Sequence, residues 1–250
     1  MATFVLVPGF WLGAWAWREV SEGLRAAGHR AYPLTLTGVA DRAHLADPDV
    51  GLETHTTDIV RLVEAEDLHD VVLVGHSGGG MPVQQAADRL PDRFARVVYL
   101  DSGPLPTGTA QFDTHPPEEQ ERLRALIGAG HLLPPPDWDR AADPVNLAGL
   151  DDEMLDLLRD RTTGQPLRAA TDPVRLPHGG AVPTALIACT FPVETVRQMI
   201  AQGHPFFAGL TGADLYGLPT GHWPMFSEPK RLTELLDRIG RAVPTPTSTG

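Results

Sequence analysis

The chain has 250 residues, 42% of them hydrophobic and 21% charged, with a formal net charge of −12. This composition excludes a disordered chain, and without clustered basic charge it excludes a protein built to hold nucleic-acid backbones. A domain of this size buries its own core without staples, and its single cysteine, Cys189, has no second cysteine to bridge to.

Met1-Ala2-Thr3 runs directly into Phe4-Val5-Leu6-Val7, with no basic leader and no apolar run near the ~20 residues of a membrane span. The expectation is a cytoplasmic protein with neither membrane nor nucleic-acid partner. Short β-branched runs then alternate with stretches of helical period. Strands are expected at residues 3–7, 29–34, 71–75 and 95–101, with helices at 16–27, closed by Gly28, at 53–68 and at 81–90.

Between residues 104 and 182 the alternation lapses into a proline-punctuated stretch with no convincing strand and short helices at 118–127 and 151–160. Trp138, Leu147, Leu150, Leu155 and Leu158 give it apolar side chains to bury, which favours an inserted helical cap over a disordered linker. The alternation resumes with strands at 183–189 and 213–218 and helices at 193–202 and 229–239. The expected class is α/β, a mainly parallel central sheet flanked by helices. Its core is assigned to 1–106 and 183–242, its cap to 107–182 and a disordered tail to 243–250.

The strand Val71-Val72-Leu73-Val74 leads into Gly75-His76-Ser77-Gly78-Gly79-Gly80, a G-x-S-x-G placed between strand and helix. A serine nucleophile on a sharp strand-to-helix turn needs small neighbours, and Gly75 and Gly79 provide them. No Lys-Ser/Thr follows and the glycine spacing is wrong for a dinucleotide fingerprint, so a phosphate loop is set aside. Such a serine requires a base. Among ten histidines, His222 in Thr220-Gly221-His222-Trp223-Pro224 lies on the loop after the last strand, while His44, His55, His76 and His204 read as structural.

Two backbone N–H groups must meet the developing oxyanion. Gly78 follows the nucleophile, and Phe10 lies in the first strand's loop, Val7-Pro8-Gly9-Phe10-Trp11. Trp15 and Trp17 are read as core residues, Trp11 as the one turned toward substrate, and Cys189 as buried filler. The histidines are scattered, with no H-E-x-x-H and no paired cysteines, so neither metal nor cofactor is expected.

These segments resemble the α/β-hydrolases, in particular the group of plant methylesterases, salicylate-binding esterases and hydroxynitrile lyases with their bacterial esterase relatives. The resemblance is carried by Phe4–Gly9 with Trp15 and Trp17, by Leu36-Thr37-Gly38 with Ala43-His44-Leu45, by the Gly75–Gly79 elbow, by Val98-Tyr99-Leu100-Asp101 and by Thr220–Pro224. Two positions depart from it. The hydroxynitrile lyases of this group carry a lysine directly after the histidine, where Trp223 stands here, which argues against cyanohydrin cleavage. The methylesterases carry their triad aspartate just after the strand corresponding to 183–189, where this chain reads Cys189-Thr190-Phe191-Pro192-Val193-Glu194.

Other α/β-hydrolases place the acid at the preceding strand end, which points to Asp101, with Glu194 as its rival. A third reading leaves Asp101 capping the turn with Ser102-Gly103. The activity expected is a cofactor-independent serine hydrolase on a small carboxylic ester or lactone. Ser77, His222 and Asp101 would form its triad, Phe10 and Gly78 its oxyanion hole, and Leu132, Leu133, Trp138 and Leu147 candidate pocket walls. A lyase or cyclase using His222 as base, and a non-catalytic small-molecule binder, are the alternatives. Oligomeric state is left open, a homodimer included.

Overall fold

The structure, a computed structural model, describes residues 1–179, 181–204 and 207–243, so the tail expected at 243–250 lies outside it apart from Val243. Six parallel strands form the central sheet: β1 (Thr3–Val7), β2 (Arg30–Pro33), β3 (Val71–His76), β4 (Phe94–Leu100), β7 (Thr184–Ala188) and β8 (Asp214–Gly217). Their order is β2-β1-β3-β4-β7-β8. The chain moves one way from β1 to β2 and then crosses back to β3, so a switch in strand order falls between β1 and β3, where open α/β sheets place their ligands.

Both faces of the sheet are buried, which explains why its strands read as unbroken apolar runs. Phe4, Leu6, Val72, Val74, Val98, Leu100 and Ile187 face one core. There they meet Val20 and Leu24 of α1 (Arg18–Ala26) and Leu232, Leu236 and Ile239 of α9 (Pro229–Ala242). The alternate residues Val5, Val7, Leu73, Val97, Tyr99 and Leu186 face the second core. Its other side is Ile59 and Val63 of α2 (Leu52–Ala65), Val83 and Ala86 of α3 (Gly80–Arg89) and Val196 of α7 (Val193–Ala201).

Between β4 and β7 run α4 (Pro117–Ile127), α5 (Asp152–Arg161) and α6 (Arg168–Thr171). The Asp151 carboxylate caps α5 by accepting the Met154 N–H at 2.8 Å. Contrary to the strandless reading of this stretch, Leu132–Leu133 (β5) pairs antiparallel with Gln165–Pro166 (β6). Two-residue strands carry no alternation to detect, and their pairing depends on where the surrounding chain is packed. Trp138, Leu147, Leu150, Leu155 and Leu158 belong to the same apolar cluster as β1 and β3. Withdrawing a side chain of this size from water contributes about 1.5–3 kcal/mol, so the insertion is fixed to the sheet along a shared interior. The remaining short helix, α8 (Pro224–Ser227), follows the histidine loop. Among the described residues no helix is long and apolar enough to cross a membrane.

Candidate active site

The β3 strand ends at His76, and a single turn over Ser77–Gly79 passes the chain into α3. Ser77 sits in the left-handed region with φ 47°, a conformation that an L-residue holds only when its surroundings fix it. A methyl group on Gly79 would overlap the Pro8 carbonyl, and one on Gly75 would fall 2.8 Å from the Gly79 carbonyl oxygen. Both glycines are therefore required by close backbone packing. The Ser77 carbonyl accepts the Ser102 hydroxyl at 2.7 Å, tying the turn to the end of β4.

His222 Nε2 lies 2.8 Å from Ser77 Oγ, and His222 Nδ1 lies 2.6 Å from Asp101 Oδ2. With the ring proton on Nδ1, the imidazole donates to Asp101 and accepts from the serine hydroxyl. The Asp101 side chain is 5% exposed. Oδ1 accepts the Cys189 and Thr190 amides at 2.9 and 3.1 Å, while Oδ2 accepts the Thr190 hydroxyl at 2.9 Å. Burial alone would raise this carboxyl, but the bond and charge of His222 and the two amides together hold it below the usual carboxylate range. Glu194 stands apart: its side chain is 74% exposed and 4.0 Å from Arg197. Among the described residues no group of three or more His, Cys, Asp or Glu side chains converges to hold a metal ion.

The first strand's loop lies against the elbow, with the Phe10 ring on Gly78 and Gly9 beside the Ser77 side chain. Residues 4–235 match the Alpha/beta hydrolase family. The chain belongs to that family. It is 34% identical to the carbendazim hydrolyzing esterase of Nocardioides sp. (strain SG-4G), over 96% of this chain and all of that protein. Methylesterase 8 of Arabidopsis thaliana is 37% identical over 40% of this chain and 37% of its own length. An extracellular alpha/beta-hydrolase from a Paenibacillus species superposes with a TM-score of 0.81 at 23% identity, covering 96% of this chain and all of the other. The resemblance to plant methylesterases and bacterial esterases is thereby established.

In this alpha/beta hydrolase, the position after β7 where a methylesterase aspartate was expected carries Thr190, whose amide and hydroxyl brace Asp101 instead. Sequence reasoning missed the bracing by Thr190 and Ser102, since a lone threonine or serine carries no local signal of its partner. His76, read as structural, has a definite task. Its Nε2–H donates to the His222 carbonyl at 2.7 Å, tying the elbow to the histidine loop. Complete burial, reinforced by the His222 imidazole alongside, lowers its pKa to about 3. His55 is buried with its ring bonded to the Thr37 carbonyl, and His44 is exposed. Burial pushes the Cys189 thiol up, in keeping with a filler role.

A cavity of about 210 Å³ adjoins the Asp101–His222 side, lined by Asn146 and by the apolar Leu186, Phe191, Val196 and Phe207. None of the expected walls lines it. Trp138 and Leu147 are 2% and 3% exposed within the main core, and Leu132–Leu133 are taken up in the β5–β6 pair. Trp138 packs edge-on against Trp223, with ring centroids 5.0 Å apart. Trp11, expected to face substrate, packs on Trp138 at 6.3 Å and donates its indole N–H to the Leu133 carbonyl at 3.1 Å. Trp17 is core as expected, whereas Trp15 is half-buried between Phe226 and Arg161.

The insertion also grips the histidine loop: His222 N–H donates to the Asn146 carbonyl at 2.8 Å and Gly221 N–H to the Ala148 carbonyl at 3.2 Å. A methyl group on Gly221 would fall 2.8 Å from the Ala148 nitrogen and closer still to both carbonyl oxygens. Gly221→Ala is therefore expected to lower stability by about 1–3 kcal/mol, read as the shift in urea midpoint. An unchanged midpoint would mean that the loop and the insertion part without cost.

Proposed function

We propose that this chain is a serine esterase that cleaves a small carboxylic ester or lactone through an acyl-enzyme. The observation that carries the reading is the unbroken relay from Ser77 Oγ to His222 Nε2 at 2.8 Å and from His222 Nδ1 to Asp101 Oδ2 at 2.6 Å. Ser77 Oγ attacks the carbonyl carbon as His222 Nε2 takes its proton. Asp101 holds the Nδ1–H tautomer and stabilises the imidazolium that forms.

The Phe10 and Gly78 amides receive the oxyanion. Collapse of the tetrahedral intermediate breaks the bond to the alcohol oxygen, which leaves with the proton from His222. Water, deprotonated by His222, then attacks the acyl-enzyme and frees the acid and Ser77. Each step uses the protein's own groups and water. The 34% identity to an esterase over nearly the whole chain supports hydrolysis of an ester. The small apolar cavity beside His222 supports a compact apolar or aromatic substituent.

Intact mass after treatment with a fluorophosphonate tests the reading. One adduct on the wild type and none on Ser77→Ala is the expected result. A wild type that takes no adduct would overturn it.

A further inference from the structure

The loop carrying the Phe10 amide is held from outside the sheet. Trp11, the next residue, has φ 67°, in the left-handed region that a residue with a bulky side chain does not occupy without restraint. The restraint comes from the insertion. Trp11 N–H donates to Gln165 Oε1 at 3.1 Å, and the Trp11 carbonyl accepts the Thr163 N–H at 3.3 Å. Its indole is bonded to Leu133 on the facing strand. Gln165 is 2% exposed, a buried amide whose placement is unfavourable unless its polar atoms are engaged.

Phe10 and Trp11 share one peptide unit. That unit holds the Phe10 carbonyl and the Trp11 N–H, so if Trp11 relaxed to negative φ with its side chain still fixed by Trp138 and Leu133, the unit would turn, and the backbone angles of Phe10 would have to follow, re-aiming the Phe10 N–H one peptide upstream. The slack is small, because the Phe10 ring already rests on Gly78 and Gly9 rests on the serine. We propose that Gln165 is a positioning residue for the oxyanion site. From β6 it holds Trp11 in the left-handed conformation and so aims the Phe10 amide at the carbonyl oxygen. The inference rests on the serine-esterase reading above.

The test is Gln165→Leu, which removes the acceptor, assayed with p-nitrophenyl acetate and with phenylboronic acid as a tetrahedral-adduct inhibitor. A misdirected oxyanion donor acts on the transition state, so kcat is expected to fall about 10- to 100-fold with KM within about threefold of wild type. Inhibition by phenylboronic acid weakens in step. Should the leucine variant not fold, Gln165→Asn withdraws the acceptor by one methylene and must give the same split between kcat and KM. A folded variant with kcat within about twofold of wild type, or with its change confined to KM, overturns the proposal. Ser77→Ala run in parallel separates the two readings. If it turns over p-nitrophenyl acetate as fast as wild type, the esterase reading fails and this one with it. If turnover depends on Ser77 and ignores Gln165, only the positioning role is lost.

Discussion

Asp101→Asn is expected to lower kcat about 10⁴-fold with little change in KM, and Glu194→Gln to leave both within about twofold. The reason lies in what surrounds the carboxylate. Oδ1 accepts two backbone amides, from Cys189 and Thr190, so an asparagine places its carbonyl oxygen there. Its NH₂ group then faces His222 Nδ1, where Asp101 Oδ2 now accepts at 2.6 Å. A donor at that point forces the imidazole proton onto Nε2, and the ring can no longer take the proton of Ser77. Steady-state kinetics on both variants decides it. A large loss in Glu194→Gln, or none in Asp101→Asn, would remove Asp101 from the relay.

The second large effect is on stability in acid. His76 titrates at about 3 in the folded chain against an ordinary value of 6.5. Above pH 6.5 both folded and unfolded chains carry it neutral, and the group adds no pH dependence. Below that, the unfolded chain binds a proton that the folded chain refuses, so stability falls with pH by about 1.4 kcal/mol per unit until the folded group titrates. His55, whose pKa burial also lowers, acts in the same direction. His76→Gln keeps a side-chain donor for the His222 carbonyl and removes the titration. Urea unfolding between pH 6.5 and 4 is therefore expected to give a much shallower loss for the variant. Equal slopes would show that this imidazole is not protonated on unfolding.

The elements of the sheet were legible because physical constraints repeat along them. A strand buried on both faces, such as Val71–His76, must be apolar throughout, and a serine pressed between backbone segments must have glycines at Gly75 and Gly79. His222 was legible from its place after the last strand. Apolar residues in the insertion were legible as buried but not as to where. Trp138 and Leu147 suit a pocket wall and an interior equally, and only the packed chain assigns them to the core.

The β5–β6 pair joins residues more than thirty positions apart through two-residue strands, which leaves no pattern in either. The contacts of Trp11 were not legible for a related reason. An aromatic residue in the loop after β1 is expected to meet substrate, whereas its backbone conformation and its bonds join it to Leu133 and Trp138. Thr190 was seen only as the absence of an aspartate, because its role exists through a carboxylate eighty-nine positions away.

Because Trp138, Leu147, Leu155 and Leu158 complete the interior that Phe4 and Val74 begin, the insertion is not an interchangeable module. Excising it would expose the inner surface of the sheet and release both the histidine loop and the loop after β1. Variation at the cavity rim is freest at Phe191, which is half exposed, whereas Phe207, which also lines the cavity, belongs to the second core. A library at Phe191 would alter the cavity while leaving both cores untouched.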